Sequence, residues 1–374
     1  MVIEFSSPHF APILHRYLTS EPVLKGLIID KSQISPPIDF DFASVKTNFE
    51  LIPPYTIERD LSYDKMYINY PPTESEGRFR KNAVTKVLLK NNVTEEILYQ
   101  GDYSLDSFRR RKTVGSDIKV QNVIVIDGCS FVFGDYVNDD ETLPSRIQSR
   151  LKNTSVKNLG ISGGSPTYNM YYHSKYNWEI LDDIDINQKG YVIFMFADFH
   201  VQRMFAQSSW IGFGKKIKSS IFNPPIMKKN NLGKFEFTGL FEDYYGIFAQ
   251  VQREFAVTNI SKIFKVNYPY KGYQETIEDS SELILQNLNE ITKRKPNLTP
   301  VVLIVPGSKY YGPGVAKIIQ KKGILVMDDS IYSFKDLLRG QILTKEGHPN
   351  VNFYDLLASL VVRDLKVANK NINL

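Results

Sequence analysis

The chain has 374 residues, of which 42% are apolar and 23% are charged. This is ordinary usage for a soluble globular protein, and it argues against a disordered or membrane-spanning chain. The 46 basic and 41 acidic residues leave a net charge of +5, too small an excess to mark a nucleic-acid-binding surface. A single cysteine excludes an internal disulfide framework and a cysteine-based zinc site.

The first fifteen residues show no basic start followed by an apolar block, so we expect no signal peptide there. No apolar run is long enough to cross a bilayer. We therefore expect a soluble protein without a transmembrane segment, located in the cytoplasm.

Residues 1–118 are punctuated by Pro-Pro pairs between short segments rich in aromatic and β-branched residues, a pattern of strands and loops. The strand candidates are 66–70, 84–90 and 97–105. We predict a small N-terminal β-rich accessory domain. An irregular extension wrapped on the main domain is the alternative interpretation.

From residue 119 onward the pattern changes to strand, turn and helix, repeated. Continuous apolar runs predict strands at 123–126, 191–196, 301–305 and 324–327. A short further strand is predicted at 156–159, before the glycines that begin at 160. The connections are too long for hairpins, so the order favours a parallel sheet with helices on both faces. Thr142 with Pro144, and Ser165 with Pro166, have the residue types that begin helices. A helix is also predicted at 281–293.

Roughly a hundred residues separate the third and fourth predicted strands, more than a crossover helix needs, so we predict an insertion at about 205–275. It contains a basic stretch at 210–234 and then a helix with one aromatic and apolar face. That face is formed by Phe241, Tyr244, Tyr245, Phe248, Val251 and Phe255. It either packs on the core or forms a lid or acceptor platform over the active site.

Ser130 follows the first buried strand after Gly128 and Cys129, small residues that allow a tight turn. Its hydroxyl is then expected at the carboxyl end of the sheet, where open α/β folds bind ligands. A serine nucleophile needs a base, most often histidine. His348 lies in a loop directly before an apolar helical stripe, so it is the candidate base.

Three short segments resemble the blocks of the SGNH hydrolases, also called GDSL-type esterases. They are 128–130 continued by 131–134 and 138–144, then 158–163, and finally 346–350. Cys129 stands where the family usually has aspartate. The resemblance covers residues 119–374 and implies a flavodoxin-like αβα sandwich, a serine that attacks an ester carbonyl, and an acyl-enzyme that passes to water or to a sugar hydroxyl.

A carboxylate must orient the histidine, and Glu346, two residues earlier, is the first candidate. Asp328 and Asp329, after the fifth strand, are the alternatives. The oxyanion donors implied by the resemblance are the amides of Ser130 and Gly163, with the Gly160 amide as a weaker candidate.

The third block departs from the family, because Ala197 or Asp198 occupies the place of the usual asparagine. An ionised carboxylate cannot donate to an oxyanion. Asp198 is therefore either a weak oxyanion candidate or a structural residue. His200 or Arg203 substitutes as donor, or the hole has backbone donors alone. His173 is interpreted as a helix-surface residue.

The sequence thus predicts a serine-dependent ester hydrolase that removes or transfers an O-acyl group, such as acetyl, on a carbohydrate or small ester. The alternatives are a carbohydrate O-acetyltransferase and a catalytically weak binding module of the same fold. No cofactor, metal or nucleic-acid partner is expected, and the oligomeric state is left open. The basic insertion and the aromatic helix favour a sugar or an anionic polymer as the substrate.

Overall fold

The computed structural model describes residues 81–90, 97–117, 120–217, 223–256, 258, 269, 271–329 and 348–368. The predicted strand at 66–70 and the candidate acid Glu346 lie outside these residues. The strands are β1 (Val84–Lys90), β2 (Ile97–Ser104), β3 (Asn122–Asp127), β4 (Thr154–Asn158), β5 (Lys189–Phe196), β6 (Pro225–Lys229), β7 (Phe235–Leu240), β8 (Leu298–Ile304) and β9 (Leu325–Asp328).

The helices follow the same chain order. They are α1 (Ser130–Phe133), α2 (Leu143–Gln148), α3 (Pro166–Lys175), α4 (His200–Met204), α5 (Ser208–Ile217), α6 (Phe241–Tyr245), α7 (Ile247–Ala256), α8 (Tyr273–Arg294), α9 (Gly312–Lys321) and α10 (Val351–Ala368). Two 3-10 turns, Asp139–Glu141 and Glu179–Leu181, complete the described elements.

The central sheet has five parallel strands in the order β4-β3-β5-β8-β9. Strand β3 lies between β4 and β5, and Ile126 is in register with Asn158 on one side and Ile193 on the other. The sequence therefore predicted the five-stranded parallel α/β sheet correctly. The strand order reverses direction at β3, so the loops after β3 and β4 meet at the carboxyl edge, the usual ligand position of such sheets.

Helices cover both faces of the sheet, which explains why its strands other than the edge strand β4 contain continuous apolar runs. Along β5, Ile193 and Met195 face a core shared with α2 and α10, whereas Val192 and Phe194 face a core shared with α3, α8 and α9. All four side chains are at most 1% exposed. The result is a three-layer αβα sandwich, as the sequence predicted.

Side chains at the helix starts fix where the sandwich helices begin. The Ser165 hydroxyl accepts from the Tyr168 N–H at 3.4 Å, and the Thr142 hydroxyl accepts from the Ser145 N–H at 3.3 Å. These are the N-cap contacts that the Ser-Pro and Thr-x-Pro patterns predict. Helix α10 begins in the same way, since the Asn350 side chain accepts from the Phe353 N–H at 3.2 Å.

Before the sheet, β1 and β2 form an antiparallel hairpin, at the positions predicted for two N-terminal strands. The hairpin packs on the segment after Ser130, with the rings of Tyr103 and Phe133 5.8 Å apart. Arg111 joins the two parts, because its buried guanidinium donates to Asp139 at 2.5 Å and to the Val137 carbonyl at 2.8 Å. The division into units 1–118 and 119–374 stays a prediction.

Within the predicted insertion, a β6–β7 hairpin is followed by two helices, α6 and α7, where the sequence predicted one. That prediction was wrong because Gly246 takes a left-handed conformation (φ +52°) and ends α6. The aromatic face is divided as a result. Phe241 of α6 is fully buried, whereas Phe248 of α7 is 49% exposed.

Candidate active site

Ser130 is the first residue of α1 and follows the turn that ends β3. The turn needs a glycine at 128, because a Cβ there would lie 2.7 Å from the Val132 side chain. Asn158, at the end of β4, holds the other end of α1: its amide donates to the Val132 carbonyl at 3.0 Å and accepts from the Gly160 N–H at 2.9 Å. The neighbouring strand therefore fixes the position of the serine.

His348 reaches Ser130 from the far end of the chain. The His348 Nε2 and the Ser130 Oγ are 3.3 Å apart, although 218 residues separate them in sequence. The imidazole packs edge-on against two rings, with centroid distances of 4.8 Å to Tyr136 and 5.9 Å to Phe131. The structure thus brings together the two residues that the sequence paired as nucleophile and base, at hydrogen-bond distance.

Burial, and to a smaller extent the nearby positive charge of Arg203, lower the pKa of His348 from 6.5 to about 3. The imidazole is therefore neutral at neutral pH. A neutral ring has a nitrogen lone pair that can take the proton of the Ser130 hydroxyl, which is the state that a general base needs.

The backbone amides of Ser130 and Gly163 are the oxyanion donors that the sequence predicts. Among the described residues, no hydrogen bond is donated by the N–H of Ser130 or of Gly163, whereas the Gly164 N–H donates to the Ile161 carbonyl at 2.8 Å. Ser130 is buried, and buried N–H groups are almost always paired in proteins, with water or a ligand if not with the chain. The Gly160 amide, the weaker candidate, already donates to Asn158.

In the third block, the Asp198 side chain makes structural contacts and does not act as an oxyanion donor. Both carboxylate oxygens of Asp198 accept backbone N–H groups at the start of α9, from Tyr310, Tyr311 and Gly312, at 2.8–3.0 Å. Burial raises the pKa of Asp198 to about 6, and the three hydrogen bonds act in the opposite direction. The residue therefore acts as the cap of α9.

His200, the other weak oxyanion candidate, is fully buried. Its Nδ1 accepts from the Ala197 N–H at 3.3 Å, and its ring packs against Phe194, Phe196 and Phe199. Burial lowers its pKa well below 6.5. A neutral ring enclosed by phenylalanines is placed to support the third-block turn.

Glu346, the predicted acid of the triad, lies outside the described residues, so its role stays a prediction. The alternative Asp329 is buried after β9, and burial raises its pKa to about 6. The charges that act on it belong to Asp364, Arg363 and Asp328. Within the described ranges, the charged group that acts on His348 is Arg203, not Asp329.

A buried carboxylate holds the base of the nucleophile turn. Asp127 is fully buried and accepts from the Gly128 N–H at 2.9 Å, from Asn169 at 2.6 Å and from Asn287 at 2.7 Å. His173 lies 3.7 Å from the same carboxylate and is 5% exposed. The expectation of a helix-surface histidine was therefore wrong: α3 turns His173 inward, toward the buried carboxylate.

Sequence reasoning gave no role to Tyr136 or Asn158 and left Arg203 as one of several options. Their contacts join segments distant in the chain, and no local pattern reports these contacts. In the part of the chain that the structure describes, no group of three or more His, Cys, Asp or Glu side chains is placed to hold a metal ion. None of the described helices combines the length and apolar character needed to span a bilayer.

Comparison with protein-family models gives no match, and neither does comparison with curated proteins. Among solved structures, the chain is similar to a putative lipolytic protein of the G-D-S-L family from Desulfitobacterium hafniense. Identity is 13% and the TM-score is 0.36, with 65% of this chain and 98% of that chain covered.

It is also similar to an acetyl xylan esterase from the rumen bacterium Butyrivibrio proteoclasticus, at 12% identity and a TM-score of 0.36. The match covers 67% of this chain and 64% of that one. A family two carbohydrate esterase from Clostridium thermocellum matches at 10% identity and a TM-score of 0.34, covering 71% and 67%. The chain is thus similar to proteins of the G-D-S-L group and to carbohydrate esterases, and this likeness concerns the fold alone.

Proposed function

We propose that the protein is a serine-dependent ester hydrolase. The observation that carries the proposal is the 3.3 Å separation between the Ser130 hydroxyl and the His348 imidazole at the carboxyl edge of the sheet. A hydroxyl at hydrogen-bond distance from a neutral imidazole is the pair that nucleophilic catalysis requires. The amides of Ser130 and Gly163 support it, because neither donates a hydrogen bond within the described part of the chain.

In the proposed reaction the Ser130 oxygen attacks the ester carbonyl carbon while its proton passes to the Nε2 of His348. The carbonyl electron pair moves onto oxygen, and the two amides stabilise that oxyanion. When the pair returns, the bond to the alcohol breaks and His348 gives its proton to the leaving oxygen. Water then repeats the sequence on the acyl-enzyme, releasing the acid and restoring Ser130. Glu346 is the proposed acid that orients His348.

The test is hydrolysis of an aryl acetate by the wild-type protein, by Ser130→Ala and by Ser149→Ala. Ser149 is exposed and its hydroxyl donates to the Arg146 carbonyl, so it is a matched control. We expect Ser130→Ala to lose at least about a thousandfold in turnover, as nucleophile removal does in serine hydrolases, and Ser149→Ala to lose nothing. Equal rates for the wild-type protein and Ser130→Ala would reject the proposal.

Exposed aromatic side chains favour a carbohydrate ester as the substrate. Helix α3 begins directly after the Gly163 loop, and its Tyr171 ring lies 4.7 Å from Phe237 of β7. Phe237 is 47% exposed, so its ring is accessible to a ligand, and aromatic side chains are common in ligand-binding clefts. We expect Phe237→Ala to raise KM for an acetylated oligosaccharide and to leave aryl acetate hydrolysis unchanged.

A binding module of the same fold is the second candidate, favoured by the use of Asp198 as a helix cap, which leaves the third block without a side-chain amide donor. Labelling by a fluorophosphonate separates the two. Covalent labelling of the wild-type protein that is absent in Ser130→Ala supports the hydrolase. A folded protein that stays unlabelled and still binds an acetylated oligosaccharide supports the module.

A further inference from the structure

Arg203, on α4, is a cation near the nucleophile turn that has no role in the reaction as proposed so far. Its Nη1 donates to the Gly164 carbonyl at 3.0 Å, in the loop that follows Gly163. Its positive charge also lowers the pKa of the Cys129 thiol, against the larger effect of burial, so the guanidinium is within electrostatic range of the nucleophile turn. One side chain is thus close to both segments that carry the proposed backbone oxyanion donors.

Two aromatic rings hold the guanidinium in this position. Its carbon lies 4.5 Å from the ring centre of Phe199 and 4.5 Å from that of Trp210. The Phe199 ring in turn packs 5.2 Å from Phe131, the residue after Ser130. Arginine stacked between rings loses little further freedom when it forms a hydrogen bond, so its donors are preorganised.

The charge of Arg203 acts on the site without a direct ion pair to another described residue. In the described part of the chain its guanidinium contacts Gly164, Phe199 and Trp210, and none of these supplies a carboxylate. Burial lowers the pKa of Arg203, and the carboxylate of Asp135 acts on the guanidinium electrostatically. Its charge also lowers the pKa of His348, which places it within electrostatic range of the base.

Arg203 is held near the nucleophile and, among the described residues, has no carboxylate in direct contact. Such a cation is suited to stabilise negative charge that appears only during the reaction. Fixed donors at such a place stabilise the transition state more than the ground state. Of the two other side chains considered as donors in this segment, Asp198 accepts three backbone N–H groups, and His200 is neutral and fully buried among phenylalanines. Arg203 is the one charged donor among these three.

We propose that Arg203 is a further catalytic residue, whose guanidinium donates a hydrogen bond to the oxyanion that forms when Ser130 attacks the ester carbonyl. The inference rests on the proposed hydrolase function. Attack puts the carbonyl electron pair on oxygen, where Arg203 joins the Ser130 and Gly163 amides as donor. Collapse returns the pair, and the proton that His348 took from Ser130 goes to the leaving alkoxide.

The test compares Arg203→Met and Arg203→Lys with Arg294→Lys, assayed by aryl acetate hydrolysis. Arg294 is the matched control, because its guanidinium also stacks on a tryptophan, at 4.4 Å from Trp178. It lies at the end of α8, before β8 begins, and so at the opposite edge of the sheet from Ser130. We expect Arg203→Met to lower kcat by about 100- to 1000-fold with little change in KM, and Arg294→Lys to behave as wild type.

The pH profile gives a readout that a purely structural role would not move. Removing the Arg203 charge raises the pKa of His348, so the acidic limb of kcat/KM should shift to higher pH in Arg203→Met. A kcat within threefold of wild type, with Ser130→Ala inactive, overturns the role of Arg203 and leaves the hydrolase standing. Full activity of Ser130→Ala overturns the hydrolase itself.

Circular dichroism checks that each variant is folded. If Arg203→Met does not fold, Arg203→Lys decides, because it keeps the charge and the stem but loses the planar fork. About a tenfold lower kcat at unchanged KM then supports the proposal, and a wild-type kcat refutes it.

Discussion

Two substitutions of the buried Asp127 test its hydrogen-bond network. Asparagine keeps the shape of the side chain, and alanine removes the acceptor. The carboxylate accepts from the Gly128 N–H through Oδ1, and from the amides of Asn169 and Asn287 through Oδ1 and Oδ2. Alanine leaves these three donors without this acceptor. Three unpaired buried donors at about 1 kcal/mol apiece give a loss of about 3 kcal/mol in the free energy of unfolding.

Asparagine should be far milder, for a reason specific to Asn287. The Oδ1 of Asn287 is buried and has no hydrogen-bond partner among the described residues. Rotating that amide by half a turn presents its oxygen to the new side-chain NH2 in Asp127→Asn, while the remaining carbonyl oxygen still accepts from Gly128 and Asn169. We therefore expect Asp127→Asn to stay within about 1 kcal/mol of wild type, the net value of one hydrogen bond.

Urea unfolding followed by far-UV circular dichroism measures both variants, with the m-value as a check that the transition stays two-state. Hydrolysis of an aryl acetate adds a functional readout, because Asp127 holds the first amide of the nucleophile turn. If Asp127→Asn loses as much stability as Asp127→Ala, the amide rotation is wrong and the negative charge itself is what the network requires.

Three further predictions concern packing, ion pairing and titration. Gly160→Ala should lower the free energy of unfolding by about 1–3 kcal/mol, because the added Cβ would lie 2.4 Å from the Phe133 nitrogen. Gly272 has open space around it and φ −60°, so Gly272→Ala should unfold in urea like the wild-type protein. Arg111→Met should lower the free energy of unfolding by about 3–5 kcal/mol, because it leaves Asp139 without its buried partner. Lys293 is exposed, so Lys293→Met should cause no measurable change. Because the pKa of His348 is about 3 when folded and 6.5 when unperturbed, the unfolded chain takes up the proton first as pH falls. The free energy of unfolding should therefore decline from about pH 6.5 downward, more in wild type than in His348→Gln. The value of kcat/KM should stay level down to about pH 5. A fall in kcat/KM centred near pH 6.5 would contradict the burial argument.

The sheet was predictable because both of its faces are covered. The strands other than β4 then contain a run of apolar residues bounded by turns, and β5, predicted at 191–196, spans Lys189–Phe196. Helix starts were predictable where a cap side chain and a proline coincide, as at Ser165. The first two turns of α8 were missed, since three of the four buried positions there, Thr276, Asp279 and Ser280, are polar and interrupt the apolar stripe.

For the site, the Ser130–His348 pair was predictable because each residue has a local signature: a small-residue turn after a buried strand, and a loop before a capped helix. The contacts of Asp127 with Asn287 and of Arg203 with Gly164 have none, since 160 and 39 residues separate the partners. His173 was assigned to the surface for the same reason. Its helix has polar and aromatic residues on every side, so the sequence does not show which face turns inward.

The nucleophile stands at the start of the first sheet helix and its base at the start of the last, so the two depend on different parts of the fold. Detachment of α10 alone would remove His348 while the sheet and Ser130 stay in place. Local opening of a terminal helix requires less free energy than global unfolding. Enzymatic turnover would then report whether α10 is packed on the sheet. It should fall in mild denaturant, at concentrations where most of the secondary structure is still intact.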